Sequence, residues 1–181
     1  MKKYLIKSFL AVFVLALFSF NGCILDSFNS ITQNIPISQT FYLTSIQTSV
    51  TDNQYIDLSS STVYQNYQDK IQSLKLVRAE YRTLSVTPST LSGNISFTLS
   101  DMDGNTLFSL SLGQITPANY QKTPLEFALT GAQITLVNNY LSKLSNNKFQ
   151  ATIEVNNIQS STFPYTIVGA VDAVFEMKSN L

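Results

Sequence analysis

The chain has 181 residues, a length that suits one compact domain. Its 11 basic and 11 acidic side chains cancel and together make up only 12% of the residues, so the basic footprint of a nucleic-acid binder is absent. With no His, no Trp and a single Cys, it lacks the usual parts for imidazole acid–base chemistry, a zinc centre or disulfide stapling.

Residues 1–22 read as an export signal. Lys2, Lys3 and Lys7 precede an apolar or small run from Phe9 to Phe20, the charged n-region and short h-region of such a signal. As a helix this run would be roughly 18 Å long, well short of a hydrocarbon core of about 30 Å, so it is not a membrane span. Removing the three lysines leaves eight basic against eleven acidic residues.

The signal ends in Ser19-Phe20-Asn21-Gly22-Cys23, with a small residue directly before the cysteine. This resembles the lipobox of bacterial lipoproteins, although Phe20 and Asn21 depart from the commoner leucine and small residue. The resemblance covers residues 1–23 alone. It implies cleavage after Gly22, diacylation of the Cys23 sulfur and acylation of the new amino group. Two or three acyl chains, at about 0.8 kcal/mol per buried methylene, make a stable membrane anchor where one would not. In that family Ile24, rather than an aspartate, after the cysteine implies the outer membrane of the cell envelope.

Residues 23–36 then read as the lipidated cysteine and a tether, and residues 37–181 as the folded domain. Phe41, Leu43 and Ser45 alternate with Tyr42, Thr44 and Ile46, which predicts a half-buried strand. A short edge strand follows at Tyr55–Leu58. Ser60 and Ser61 open a brief helix over about 61–70, with Val63, Tyr64, Tyr67 and Ile71 at helical spacing. Leu74 to Val86 predicts a long strand with Val77, Ala79 and Tyr81 on one face and Lys75 out of phase, hence a bulge.

Ile95, Phe97 and Leu99, then Phe108, Leu110 and Leu112, flank an Asp-Gly turn and predict a hairpin. Leu125, Phe127 and Leu129 predict another short strand. Ile134, Val137, Tyr140, Leu141 and Leu144 form the stripe of one amphipathic helix over about 132–145, expected to pack on the sheet. Two more alternating runs, from Phe149 to Val155 and from Tyr165 to Met177, complete seven or eight strands. The pattern resembles an immunoglobulin-like β-sandwich in architecture, without its Cys…Trp…Cys hallmark, and with one crossover helix. A closed β-barrel is the alternative, since strand counting does not separate the two.

Catalytic parts are scarce. Without His there is no Ser-His-Asp or Cys-His system, and an acylated Cys23 cannot be a nucleophile. Two carboxylates would suffice for a glycosidase. However, the acids are scattered along the chain: Asp101 and Asp103 lie in the hairpin turn, and Asp172 and Glu176 on the polar side of the last strand. No catalytic residue is expected, so the chain reads as non-enzymatic.

Asp101, Asp103 and Asn105 place oxygen side chains two residues apart around Gly104. This is a hairpin turn in one reading and a calcium site, the only cofactor suggested, in another. The spacing is not that of an EF-hand, which needs glycine sixth and a bidentate glutamate twelfth, where Gly104 is fourth and Leu112 twelfth. Arg78, Glu80 and Arg82 share one face of their strand as a wet ion ladder. Tyr64 and Tyr67, three apart on the short helix, are the expected exposed aromatic pair for a partner.

Two functions fit these residues. One is a lipid-anchored envelope lipoprotein whose non-enzymatic domain serves a structural or protein-interaction role, with the membrane and an envelope protein as partners. The other is a surface module binding a small ligand or glycan, calcium-assisted through the Asp101 turn, against which the lack of Trp counts.

Overall fold

The structure, a computed structural model, describes residues 29–181. Cys23 and the export signal lie outside the described residues. Eight strands build the domain: β1 (Ser30–Ser45), β2 (Val50–Asp57), β3 (Ile71–Thr87), β4 (Ser92–Ser100), β5 (Thr106–Ile115), β6 (Leu125–Glu126), β7 (Lys148–Gln159) and β8 (Tyr165–Asn180). Two helices join them, α1 (Thr62–Tyr67) and α2 (Gly131–Leu141).

The strands form two antiparallel four-stranded sheets, ordered β1-β8-β3-β6 and β2-β7-β4-β5. This is the predicted sandwich, and the described residues form no closed barrel. Its likeness to an immunoglobulin domain is that of two packed antiparallel sheets, while the strand order is a jelly roll's. Six of the seven connections cross from one sheet to the other; only β4 and β5 are neighbours both in sequence and in a sheet.

The core lies between the sheets because alternate residues of nearly every strand are apolar and turn the same way. Phe149, Ala151, Ile153 and Val155 of β7 share one buried cluster with Ile167, Val171, Phe175 and Met177 of β8, the Phe149 and Phe175 rings stacking 5.9 Å apart. Phe97 is the aromatic hub, its ring 6.3 Å from that of Phe41, 5.9 Å from Phe108 and 5.3 Å from Phe127. Between the edges of β1 and β2 the seam is polar. The Tyr42 amide donates to Asp52 Oδ2 at 3.0 Å, and Gln54 Nε2 donates to Asp52 Oδ1 at 3.2 Å.

Several boundaries differ from expectation. The tether is shorter than residues 23–36, because β1 begins at Ser30, opposite Asn180, rather than at residue 37. Pro36 lies inside β1, which is an edge strand, where a missing N–H is tolerated. β2 starts at Val50, its inward Asp52 and Gln54 being polar because they form the seam. The first helix is one α-helical stretch over Thr62–Tyr67 and a 3₁₀ turn over Gln68–Lys70, close to the predicted 61–70.

Helix α2 opens with a capping box between Thr130 and Gln133, but it ends at Leu141, short of residue 145. Asn146 Nδ2 donates to the Tyr140 carbonyl and turns the chain, which leaves Leu144 exposed rather than on the buried stripe. The bulge in β3 is present. The register of β3 on β8 slips at three places; the slip nearest Lys75 falls at Val77, between the pairs Leu76–Phe175 and Arg78–Val174, and turns Val77 outward, 53% exposed, instead of onto the face of Ala79 and Tyr81.

Candidate functional site

Tyr64 and Tyr67 do not form an exposed pair. Tyr64 is only 5% exposed and its hydroxyl accepts from Asn147 Nδ2 at 3.1 Å, while Tyr67 is half-buried against the core. Helix α1 closes the end of the sandwich and so turns its aromatic face inward. The strongly exposed tyrosines are instead Tyr42 and Tyr55, on the edge strands β1 and β2.

The Asp101 turn is held by its own hydrogen bonds. Asp101 Oδ1 accepts the amides of Asp103 at 2.9 Å and Asn105 at 2.8 Å, and Oδ2 accepts Asn105 Nδ2 at 2.8 Å. These bonds, the Asn105 side chain foremost, hold the Asp101 carboxyl below the usual carboxylate range. Gly104 sits at φ +86°, the backbone angle that makes glycine the natural residue there. Among the described residues no three acidic, Cys or His side chains gather around a point as metal ligands would.

The strand register assembles what the sequence scatters. On the outer face of the first sheet, Glu80 of β3 lies directly opposite Asp172 of β8 on one side and Glu126 of β6 on the other. Directly opposed side chains in a sheet start only about 5 Å apart, so three carboxylates form a row across three strands. Arg82 Nε donates to Asp172 Oδ2 at 2.5 Å, and this bond raises the affinity of the guanidinium for its proton. Arg78 Nη1 stands 3.8 Å from Glu80 Oε2. The predicted ladder of Arg78, Glu80 and Arg82 is therefore part of a wider row, in which Glu126 forms no ion pair with any described residue.

Beside Glu126 the sheet edge opens into a groove of about 410 Å³. It exists because β6 is only two residues long while β3 runs on past it. The Phe127 amide donates to the Ala79 carbonyl at 2.9 Å, after which the chain leaves β3 for α2. Leu76, Val77, Phe127 and Leu129 give the groove apolar walls, and Arg78 and Glu126 are its two charged side chains. Asn138 of α2 reaches back so that its Oδ1 accepts the Leu76 amide at 2.9 Å, which blunts this strand edge against uncontrolled pairing.

At one end of the sandwich lie Ser30, Asn180, the Asp101 turn and both helices; at the other lie the loops 46–49, 88–91, 116–124 and 160–164. Lys122 is the sole charged residue in those four loops, and Ile46 is 73% exposed there. Loop 46–49 is tied to the strands beside it: Tyr165 Oη of β8 donates to the Gln47 carbonyl at 2.9 Å, and the Ile158 amide of β7 to the Thr48 carbonyl at 3.0 Å.

No protein-family model and no curated protein matches the chain. Solved structures with a similar course of the chain include one titled Desmodium yellow mottle tymovirus, at 14% identity and a TM-score of 0.36, covering 82% of this chain and 90% of that one. A marine algae virus of the order Picornavirales matches at 10% identity and a TM-score of 0.41, covering 81% and 71%. The decameric BFDV capsid protein matches at 10% identity and 0.41, covering 82% and 99%.

Proposed function

We propose that this chain is a cell-envelope lipoprotein, anchored through Cys23 in the outer membrane, whose jelly-roll domain is a non-enzymatic protein-interaction module. The observation that carries this reading is the polarity of the domain. Strand β1 starts at Ser30, seven residues after Cys23, and its 16 residues run the length of the sandwich, about 50 Å if straight. An anchor at Cys23 would hold the helix-covered end toward the bilayer and present the four nearly uncharged loops on the far side. Depletion of charge and exposed apolar side chains are the composition of interface cores.

The anchoring is tested by replacing Cys23 with Ser and fractionating cells. The wild-type chain is expected in the detergent-extracted membrane fraction, and Cys23→Ser is expected to leave it with altered electrophoretic mobility. A variant that stays in the membrane fraction with unchanged mobility would refute the anchor.

A further inference from the structure

We infer that the groove beside β3 is a docking site for an extended apolar segment of a partner protein that carries one lysine or arginine, seated on Glu126. The inference rests on the reading of the domain as an interaction module and names the chemistry of its partner.

Three observations converge on that occupant. The groove, at about 410 Å³, falls within the size of sites that take a few side chains or a small ligand. Leu129 and the Val77 pushed out by the bulge, over buried Leu76 and Phe127, give it an apolar strip beside an equal share of polar wall, which suits a segment carrying both apolar and charged side chains. The carboxylate row beside it carries one negative charge in excess, which favours a cation. Three carboxylates in the Asp172–Glu80–Glu126 row face two arginines, Arg82 is engaged by Asp172, and Arg78 by Glu80.

The leftover carboxylate is Glu126, at the groove and directly opposite another carboxylate. Like charges so placed destabilise a sheet, and a visiting ammonium or guanidinium between them relieves the repulsion. The segment is extended because the opening lies along the line of β6, which stops after two residues. Its specificity comes from side chains, since the Leu76 amide is already taken by Asn138.

The test uses the full chain in detergent micelles and two fluorescein-labelled peptides, acetyl-Leu-Val-Lys-Val-Leu-amide and the same peptide with Glu in place of Lys, read by fluorescence anisotropy. The lysine peptide is expected to bind about tenfold more tightly than the glutamate peptide. In Glu126→Gln, an exposed change that leaves the fold intact, that ratio is expected to fall to near one, with unchanged circular dichroism. Partition of the peptides into micelles is common to both proteins and cancels in the comparison. Equal binding of the two peptides by the wild-type chain would overturn the inference, as would a lysine preference that survives in Glu126→Gln. Failure here leaves the fractionation of Cys23→Ser untouched, so the anchor and the groove stand or fall separately.

Discussion

Replacing Gly169 with alanine tests how tightly the core is fitted. Gly169 lies on the inner face of β8, opposite Thr83 of β3 and Phe41 of β1, and its φ is outside the left-handed region, so alanine is acceptable to the backbone. Space is the obstacle. A Cβ there would stand 2.8 Å from Tyr81 Cε2 and 3.2 Å from its hydroxyl oxygen. The ring has little room to retreat: Tyr81 is 1% exposed, and its hydroxyl shares a buried 3.0 Å hydrogen bond with Thr83 Oγ1.

Overpacking of this kind costs about 1–3 kcal/mol, and disturbing the Tyr81–Thr83 bond adds about 1 kcal/mol. The lower chain entropy of alanine returns roughly 0.4–1 kcal/mol. The net destabilisation is about 1–3 kcal/mol, a fall in Tm of roughly 3–10 °C for a domain of this size. Thermal unfolding followed by near-ultraviolet circular dichroism measures it. The cause is isolated by repeating Gly169→Ala in a Tyr81→Leu background, where the clash is gone and the cost should vanish. A Tm that rises in the single variant, or an equal cost in both backgrounds, would refute the reasoning.

Two further predictions address the core and the turn. Phe97→Ala removes the ring that meets Phe41, Phe108 and Phe127 and should cost about 3–5 kcal/mol in urea unfolding, whereas Leu144→Ala, beyond the true end of α2, should be nearly neutral. Asp101 has its folded pKa depressed, so its stabilising effect is present above the unfolded carboxylate range near pH 4 and is lost as pH falls through the folded value. Asp101→Asn should therefore lower the urea midpoint at pH 7 while the gap to wild type narrows as pH falls below about 4; a gap that does not narrow in acid would contradict the assignment.

What the sequence made legible were the features written in neighbouring residues. The hairpin of β4 and β5 was readable because its alternation and its Asp-Gly turn are contiguous, and its two strands are the one pair adjacent in both chain and sheet. The bulge in β3 was visible as a phase slip at Lys75, although locating it at Val77 required the partner strand. The carboxylate row was not legible, since Glu80, Glu126 and Asp172 lie far apart in the chain and meet only through register. Tyr64 misled for a related reason. Periodicity showed which residues share a side of the short helix, but not that this side covers the open end of a sandwich.

The place of β8 between β1 and β3 governs how the chain can come to order. It is a central strand, yet it follows the other seven described strands in the chain, and β1 pairs with no other described strand. Until the final stretch from Tyr165 to Asn180 is available, the first and third strands have no common partner and the first sheet cannot assemble. Pairing across such sequence separation makes folding slow relative to proteins of local contacts. The β4–β5 hairpin can form from neighbouring residues, whereas the first sheet waits for the strand that joins its two halves.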